Sequence, residues 1–211
     1  VPRTSLRARK HPRQARSRET VEALLEAAAQ VFERHGYAAG TTNRIAERAG
    51  VSIGSLYQYF PNKDALLLAI VERHVAEGAE RLGPLLAALR DERPPLRAGL
   101  ERIVAAMVAL HAERPALHRV LFEEAPRPPA LRRRLDALAT AATAAVADWL
   151  RAVPEVRVAD PKLAARLVVQ VTESVTHNLV IHADPDRSPD RWAAETVALL
   201  EAYLGSAASS G

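Results

Sequence analysis

Residues 51–63, VSIGSLYQYFPNK, hold two tyrosines two positions apart, with Ser55, Gln58 and Lys63 close by, in a chain that is only 4% aromatic. The side-chain types fit one kind of chemistry. The hydroxyls of Tyr57 and Ser55 can donate to phosphate oxygens, and the amide of Gln58 can read a base edge. Ile53 can meet a thymine methyl, while Gly54 lets the backbone come close. This is recognition of nucleic acid, not bond cleavage. The chain shows no phosphate loop, no paired-carboxylate motif and no cysteine nucleophile, so no enzyme activity and no cofactor are expected.

Such side chains need elements to aim them. Ile45, Ala49, Val51, Leu56 and Tyr59 converge into a small core if two short helices meet across a tight turn at Gly50, with Ala46 small enough for a close crossing. That is helix-turn-helix logic, in which the second helix enters the DNA major groove. The flanking periodicity is also helical. Val21, Leu24, Leu25, Ala28, Val31 and Phe32 form one stripe from Arg18 to a glycine stop at His35-Gly36. Helices follow from Thr41 or Thr42 to Gly50 and from Ser52 to about Phe60. A fourth starts near Asn62 and continues past Val75 until Gly83-Pro84 bends or ends it. Proline-rich breaks then delimit helices at 96–112, 116–124, 130–152, 161–182 and 189–204, with Ser188-Pro189-Asp190 as a strong start signal. Period-two alternation is not evident, so the expected fold is all-α, about nine helices.

Composition bounds the setting. The chain has 211 residues, 48% apolar and 26% charged, enough for a real core. The absence of cysteine fits a reducing interior, and no apolar run approaches the roughly 18 residues of a membrane span. A cytoplasmic protein without a membrane partner is expected. Net charge is +4, but residues 1–75 hold 12 Arg/Lys against 7 Asp/Glu, and residues 76–211 hold 17 against 18. Seven basic residues and no acid fall in the first 18. Residues 1–17 read as a disordered basic arm able to find phosphates, or as a solubilising tail. Residues 205–211, GSAASSG, read as a disordered tail.

The stretch ALLEAAAQVFERHGYAAGTTNRIAERAGVSIGSLYQYFPNKDALL, residues 23–67, resembles the TetR family of bacterial transcriptional repressors. It shares a first helix ending in Phe32 and Gly36, a threonine-led second helix, A-G-V-S, an L-Y-x-[HY]-F segment and N-K before an apolar helix. The resemblance implies a three-helix DNA-binding domain at 18–75 joined to a helical effector-binding and dimerisation domain at 76–204. It implies Thr41 as a helix cap, Thr42 as a phosphate contact and Asn43 as a base-edge contact. Ile53, Gly54, Ser55 and Gln58 would form the major-groove face, with Tyr57, Tyr59 and Lys63 as phosphate clamps. Three of these have a second reading: Tyr59 as a core residue, Lys63 as a solvated charge at a helix start, Asn43 as a first-turn former. Tyr59 stands where histidine is more usual, and it keeps a donor without the charge.

The resemblance further implies a homodimer paired through the last two helices, a palindromic double-stranded DNA operator and release by a small-molecule effector. An activator with the same module stays open. Side chains that could line an effector pocket are Met107, His111, His118, Phe122, Trp149, Glu173, His177 and Asn178. The surrounding Ala, Leu and Val favour an apolar or amphipathic molecule. Glu173 and His177 share a helix face; they could bind a polar effector group, pair with each other at the dimer seam or face solvent. The histidines show no compact ligand spacing along the chain, so no metal site is expected.

Overall fold

The structure, a computed structural model, describes residues 15–124, 128–182 and 188–206. Most of the basic arm, residues 1–14, and residues 207–211 of the tail lie outside the described residues. All regular structure among the described residues is helical, nine α-helices and one π-helical turn. The chain divides into two compact units, and the division falls inside one helix, between Ala76 and Glu77. Ala116–Pro128 belongs to the first unit, although the linear reading assigned it to the second domain.

In the first unit, α1 (Ala15–Ala39) begins three residues before Arg18 and buries Leu24, Leu25, Ala28, Val31 and Phe32. Its helical path breaks at Gly36 (φ 70°, ψ 171°), a left-handed conformation that glycine takes without a Cβ penalty. The expected stop is therefore present, followed by one more turn through Ala39. Thr41 caps α2 (Thr42–Arg48), its side chain accepting the Arg44 N–H at 3.4 Å. Gly50 (φ 67°) makes the turn, and the Val51 N–H closes it on the Ala46 carbonyl at 3.0 Å. Ser52 then caps α3 (Ile53–Tyr59), its Oγ accepting the Ser55 N–H at 3.1 Å. Each side-chain cap contributes about 1 kcal/mol, which matters in helices this short. Ile45, Ala46, Leu56 and Tyr59 are buried, so the two helices cross over the small core expected of them.

The fourth helix, α4 (Lys63–Glu92), runs through Gly83-Pro84 where a bend or stop was expected. Pro84 removes one backbone bond, but it and Gly83 are exposed, and the freed carbonyl one turn earlier can be hydrated. The expected helix at 116–124 is a short α6 (Pro115–Arg119) continued by the π-helical turn Val120–Glu124.

The second unit is built from the remainder of α4 with α5 (Leu96–Ala112), α7 (Pro129–Ala152), α8 (Pro161–Ile181) and α9 (Pro189–Gly205). α7 packs on α8, and α5 packs on both α8 and α9. Trp149 is the centre of this core, fully buried with Leu100, Val104, Leu150, Val168 and Leu200, and its indole N–H donates to the Pro94 carbonyl at 2.9 Å. Gly99 makes that position possible, because a Cβ there would overlap the indole ring. Asp160 caps α8 by accepting the Lys162 and Leu163 N–H groups, and Ser188 caps α9 with Pro189 at its first position. No helix of the described residues is long and apolar enough to cross a membrane.

Candidate nucleic-acid interface

Because α3 is capped by Ser52 and anchored through Leu56 and Tyr59, its other residues lie on or near its outer face. Ile53 is 38% and Tyr57 41% exposed, Gly54 and Gln58 are exposed, and Ser55 is half-buried. Asn43 is exposed at the start of α2, and Thr42 beside it is half-buried. The hydroxyls of Thr42 and Tyr57 share a hydrogen bond of 3.2 Å, joining the start of α2 to the outer face of α3. Ser55 Oγ lies 2.8 Å from Ser52 Oγ. The Thr42–Tyr57 bond thus sets the start of α2 beside the outer face of α3, where Ile53, Gly54, Tyr57 and Gln58 are exposed.

Tyr59 and Lys63 differ from the expected phosphate clamps. Tyr59 is 9% exposed, and its hydroxyl meets Ser17 Oγ at 3.1 Å, tying α3 to the start of α1. Its inward direction follows from the helix period, since Leu56 and Tyr59 lie three apart on one face. Lys63 Nζ donates to the carbonyls of Tyr37 and Ala38 at 2.9 and 3.2 Å and sits 4.2 Å from the centre of the Tyr37 ring. A cation at the carbonyl end of α1 is well placed electrostatically. Asn62 is the companion device: its side chain accepts the Ala65 N–H at 2.9 Å and caps α4. The Asn-Lys pair therefore pins the entry of α4 against the end of α1.

Tyr37 is the residue that sequence reasoning missed. Its hydroxyl donates to Asp64, and its N–H donates to Glu124 Oε2 at 2.8 Å. Burial first, then the hydrogen bond and the charge of Asp64, push the hydroxyl well above the ordinary tyrosine pKa. The only local signal was its place directly after a helix-ending glycine.

The residues expected to line an effector pocket belong to both units. His118 and Phe122 lie in the first unit, stacked with ring centres 4.3 Å apart, and His118 Nδ1 is 3.2 Å from His74 Nε2. In the second unit, His111 is buried with Nε2 3.6 Å from Glu173 Oε1, and its ring lies edge-on to His177 at 6.1 Å. Met107, one turn earlier on α5, presents its backbone carbonyl to His111 Nδ1 at 2.8 Å. Trp149 is spent on the core. Asn178 donates to the Ser174 carbonyl at 2.8 Å and borders an open hollow of about 220 Å³ on α8 and α9, with Ser174, Val175, Leu179 and Trp192.

A short capped helix displaying such a face, beside a second all-helical unit, defines a helix-turn-helix regulator in class. Two family models match, "Bacterial regulatory proteins, tetR family" over residues 24–70 and "Tetracyclin repressor-like, C-terminal domain" over residues 95–204. The chain belongs to the TetR family, whose members are DNA-binding transcriptional regulators and not enzymes. It is 44% identical over 78 residues, 37% of its length, to the transcriptional activator FasR of Mycolicibacterium smegmatis, and spans only 36% of that relative. In fold it is similar to a TetR-family regulator from Mesorhizobium loti (TM-score 0.70, 22% identity, 90% of this chain and 98% of that one). It is also similar in fold to FadR of Bacillus subtilis, solved with stearoyl-CoA (TM-score 0.64, 19% identity, 88% and 98%).

Proposed function

We propose that the protein is a cytoplasmic repressor that binds a palindromic operator as a homodimer and leaves it when a small apolar or amphipathic effector binds the second unit. The outward face of α3 carries this reading, because Ile53, Gly54, Tyr57 and Gln58 are exposed beside the half-buried Ser55 and suit a major groove. Support for the dimer comes from α8 and α9, where Leu163, Trp192, Leu199 and Tyr203 are 53%, 38%, 61% and 36% exposed. Apolar side chains exposed on the same two helices fit a twofold seam. The acyl thioester bound by the FadR neighbour makes long-chain acyl compounds the first effectors to try. Release requires that the effector prefer the conformation unable to hold DNA; moving the balance from 1:99 to 99:1 takes about 5.5 kcal/mol of differential affinity. A second reading, transcriptional activation, is favoured by the match to the activator FasR over 37% of the chain.

The test uses a panel of singly substituted operators. Gln58→Ala and Asn43→Ala should each relax preference at particular base pairs, by about 1–3 kcal/mol per lost base contact. Tyr57→Phe should weaken all operators alike. A uniform loss in the Gln58 and Asn43 variants would remove them as base readers.

A further inference from the structure

Glu124 ends a π-helical turn, Val120–Glu124, that packs on α1 inside the first unit, although the chain on either side of 116–128 belongs to the second. Its carboxylate reaches a residue 87 positions earlier, where Oε2 accepts the Tyr37 N–H at 2.8 Å. The bond follows from Gly36. With ψ at 171° instead of the helical value of about −42°, the peptide after Gly36 is turned out of the hydrogen-bond ladder of α1, and its N–H takes an acceptor from outside the helix. The bare Cα of Gly36 also lets the carboxylate lie close, since a Cβ there would stand 3.4 Å from Oε2. A carboxylate accepting a backbone N–H makes a charge-assisted bond, stronger than a neutral pair.

The corner at Gly36 and Tyr37 is tied to both ends of the helix-turn-helix. Toward α2, the Gly40 N–H donates back to the Gly36 carbonyl at 3.1 Å, one residue before the Thr41 cap. Toward α4, which follows α3 after three residues, the Tyr37 hydroxyl donates to Asp64 and the Tyr37 carbonyl accepts Lys63 Nζ at 2.9 Å. A shift of this corner therefore moves the start of α2 and the exit of α3 together. We propose that Glu124 is a positioning residue for DNA reading: its carboxylate fixes the corner and so sets the attitude of α2 and α3. Glu124 is exposed, so losing its bond loosens the corner without opening the core around Leu24, Phe32, Ile45 and Leu56. The inference rests on the DNA-reading role proposed above and adds to it a residue that acts through Tyr37.

The test compares full-length wild type, Glu124→Ala and Glu124→Gln on the duplex that the wild-type chain selects from a randomised pool, and by amide hydrogen exchange without DNA. Glutamine keeps an oxygen that accepts the Tyr37 N–H; alanine does not. Both variants lose a negative charge, which by itself favours DNA, so weaker binding in the alanine variant cannot come from charge. The expected result is binding about tenfold weaker for Glu124→Ala, the low end for loss of a hydrogen bond to a charged group, and rescue to within about twofold of wild type by Glu124→Gln. The melting temperature and the salt dependence should match wild type in both, because neither the core nor a phosphate contact is lost. Without DNA, exchange at the Tyr37 N–H and at the α3 amides should quicken in Glu124→Ala alone. Wild-type affinity in the alanine variant would overturn the proposal, as would equal losses in both variants, a lowered melting temperature in Glu124→Ala or unchanged exchange at Tyr37. A wild-type chain that selects no duplex would instead sink the DNA-reading role, and the exchange measurement then still decides whether Glu124 holds the corner.

Discussion

Tyr37, Tyr59 and Lys63 divide the work of holding the reading head, while Tyr57 and Gln58 are left to face outward. Tyr37 gives the sharpest measurable signature, because its hydroxyl is protonated in the fold beyond the ordinary tyrosine range. A raised pKa means that the stabilisation is complete below the ordinary value of 10.0 and drains away as pH rises through the higher folded value. Tyr37→Phe should cost about 1 kcal/mol at neutral pH, modest because the group is half exposed, and should flatten the alkaline decline. Urea unfolding of both proteins from neutral to strongly alkaline pH checks this; parallel declines would show that the Tyr37–Asp64 bond contributes nothing to it. The outward direction of Tyr57 and Gln58 was legible from spacing alone, since local helix period decides which way they point. Tyr59 and Lys63 were half legible: their partners, Ser17 and the carbonyls of Tyr37 and Ala38, come from α1 and have no trace in the local pattern.

At the level of the elements, α5 meets α7 where Gly99 lets the indole of Trp149 approach the helix backbone. Gly99→Ala improves helix propensity by about 1 kcal/mol, yet its methyl would overlap a ring that is fully enclosed. The overlap should win, for a net loss of about 1–3 kcal/mol in thermal or chemical unfolding. A variant as stable as wild type would mean that the indole can move aside. Helix positions were readable because apolar period, caps and proline breaks are local signals, and Thr41, Ser52, Asp160 and Ser188 all act as side-chain caps. The passage of α4 through Pro84 was not, since it depends on solvent exposure that no linear pattern records. Trp149 read as a pocket wall for a related reason: an isolated aromatic among small residues looks the same in sequence whether it faces a cavity or a core.

For the whole molecule, charge and pairing carry the account. Removing residues 1–14 deletes five of the seven basic side chains in the first 18 while sparing Ser17, the partner of Tyr59. The truncated protein should keep its melting temperature but bind DNA more weakly, with a shallower dependence on salt. Unchanged affinity at low salt would reduce the arm to a solubilising tail. The return of residues 116–128 to the first unit was invisible in the sequence, because the proline breaks on either side mark where helices end and not which unit they join. The central claim is that two copies of α3 read a twofold-symmetric DNA site. Selection from a pool of randomised duplexes by the full-length protein, with the mass of the recovered complex measured, tests it most directly. The expected result is one enriched palindrome with half-sites about one helical turn apart, bound by two chains or a multiple of two. Recovery of unrelated sequences with no symmetric motif, or a complex containing a single chain, would contradict it.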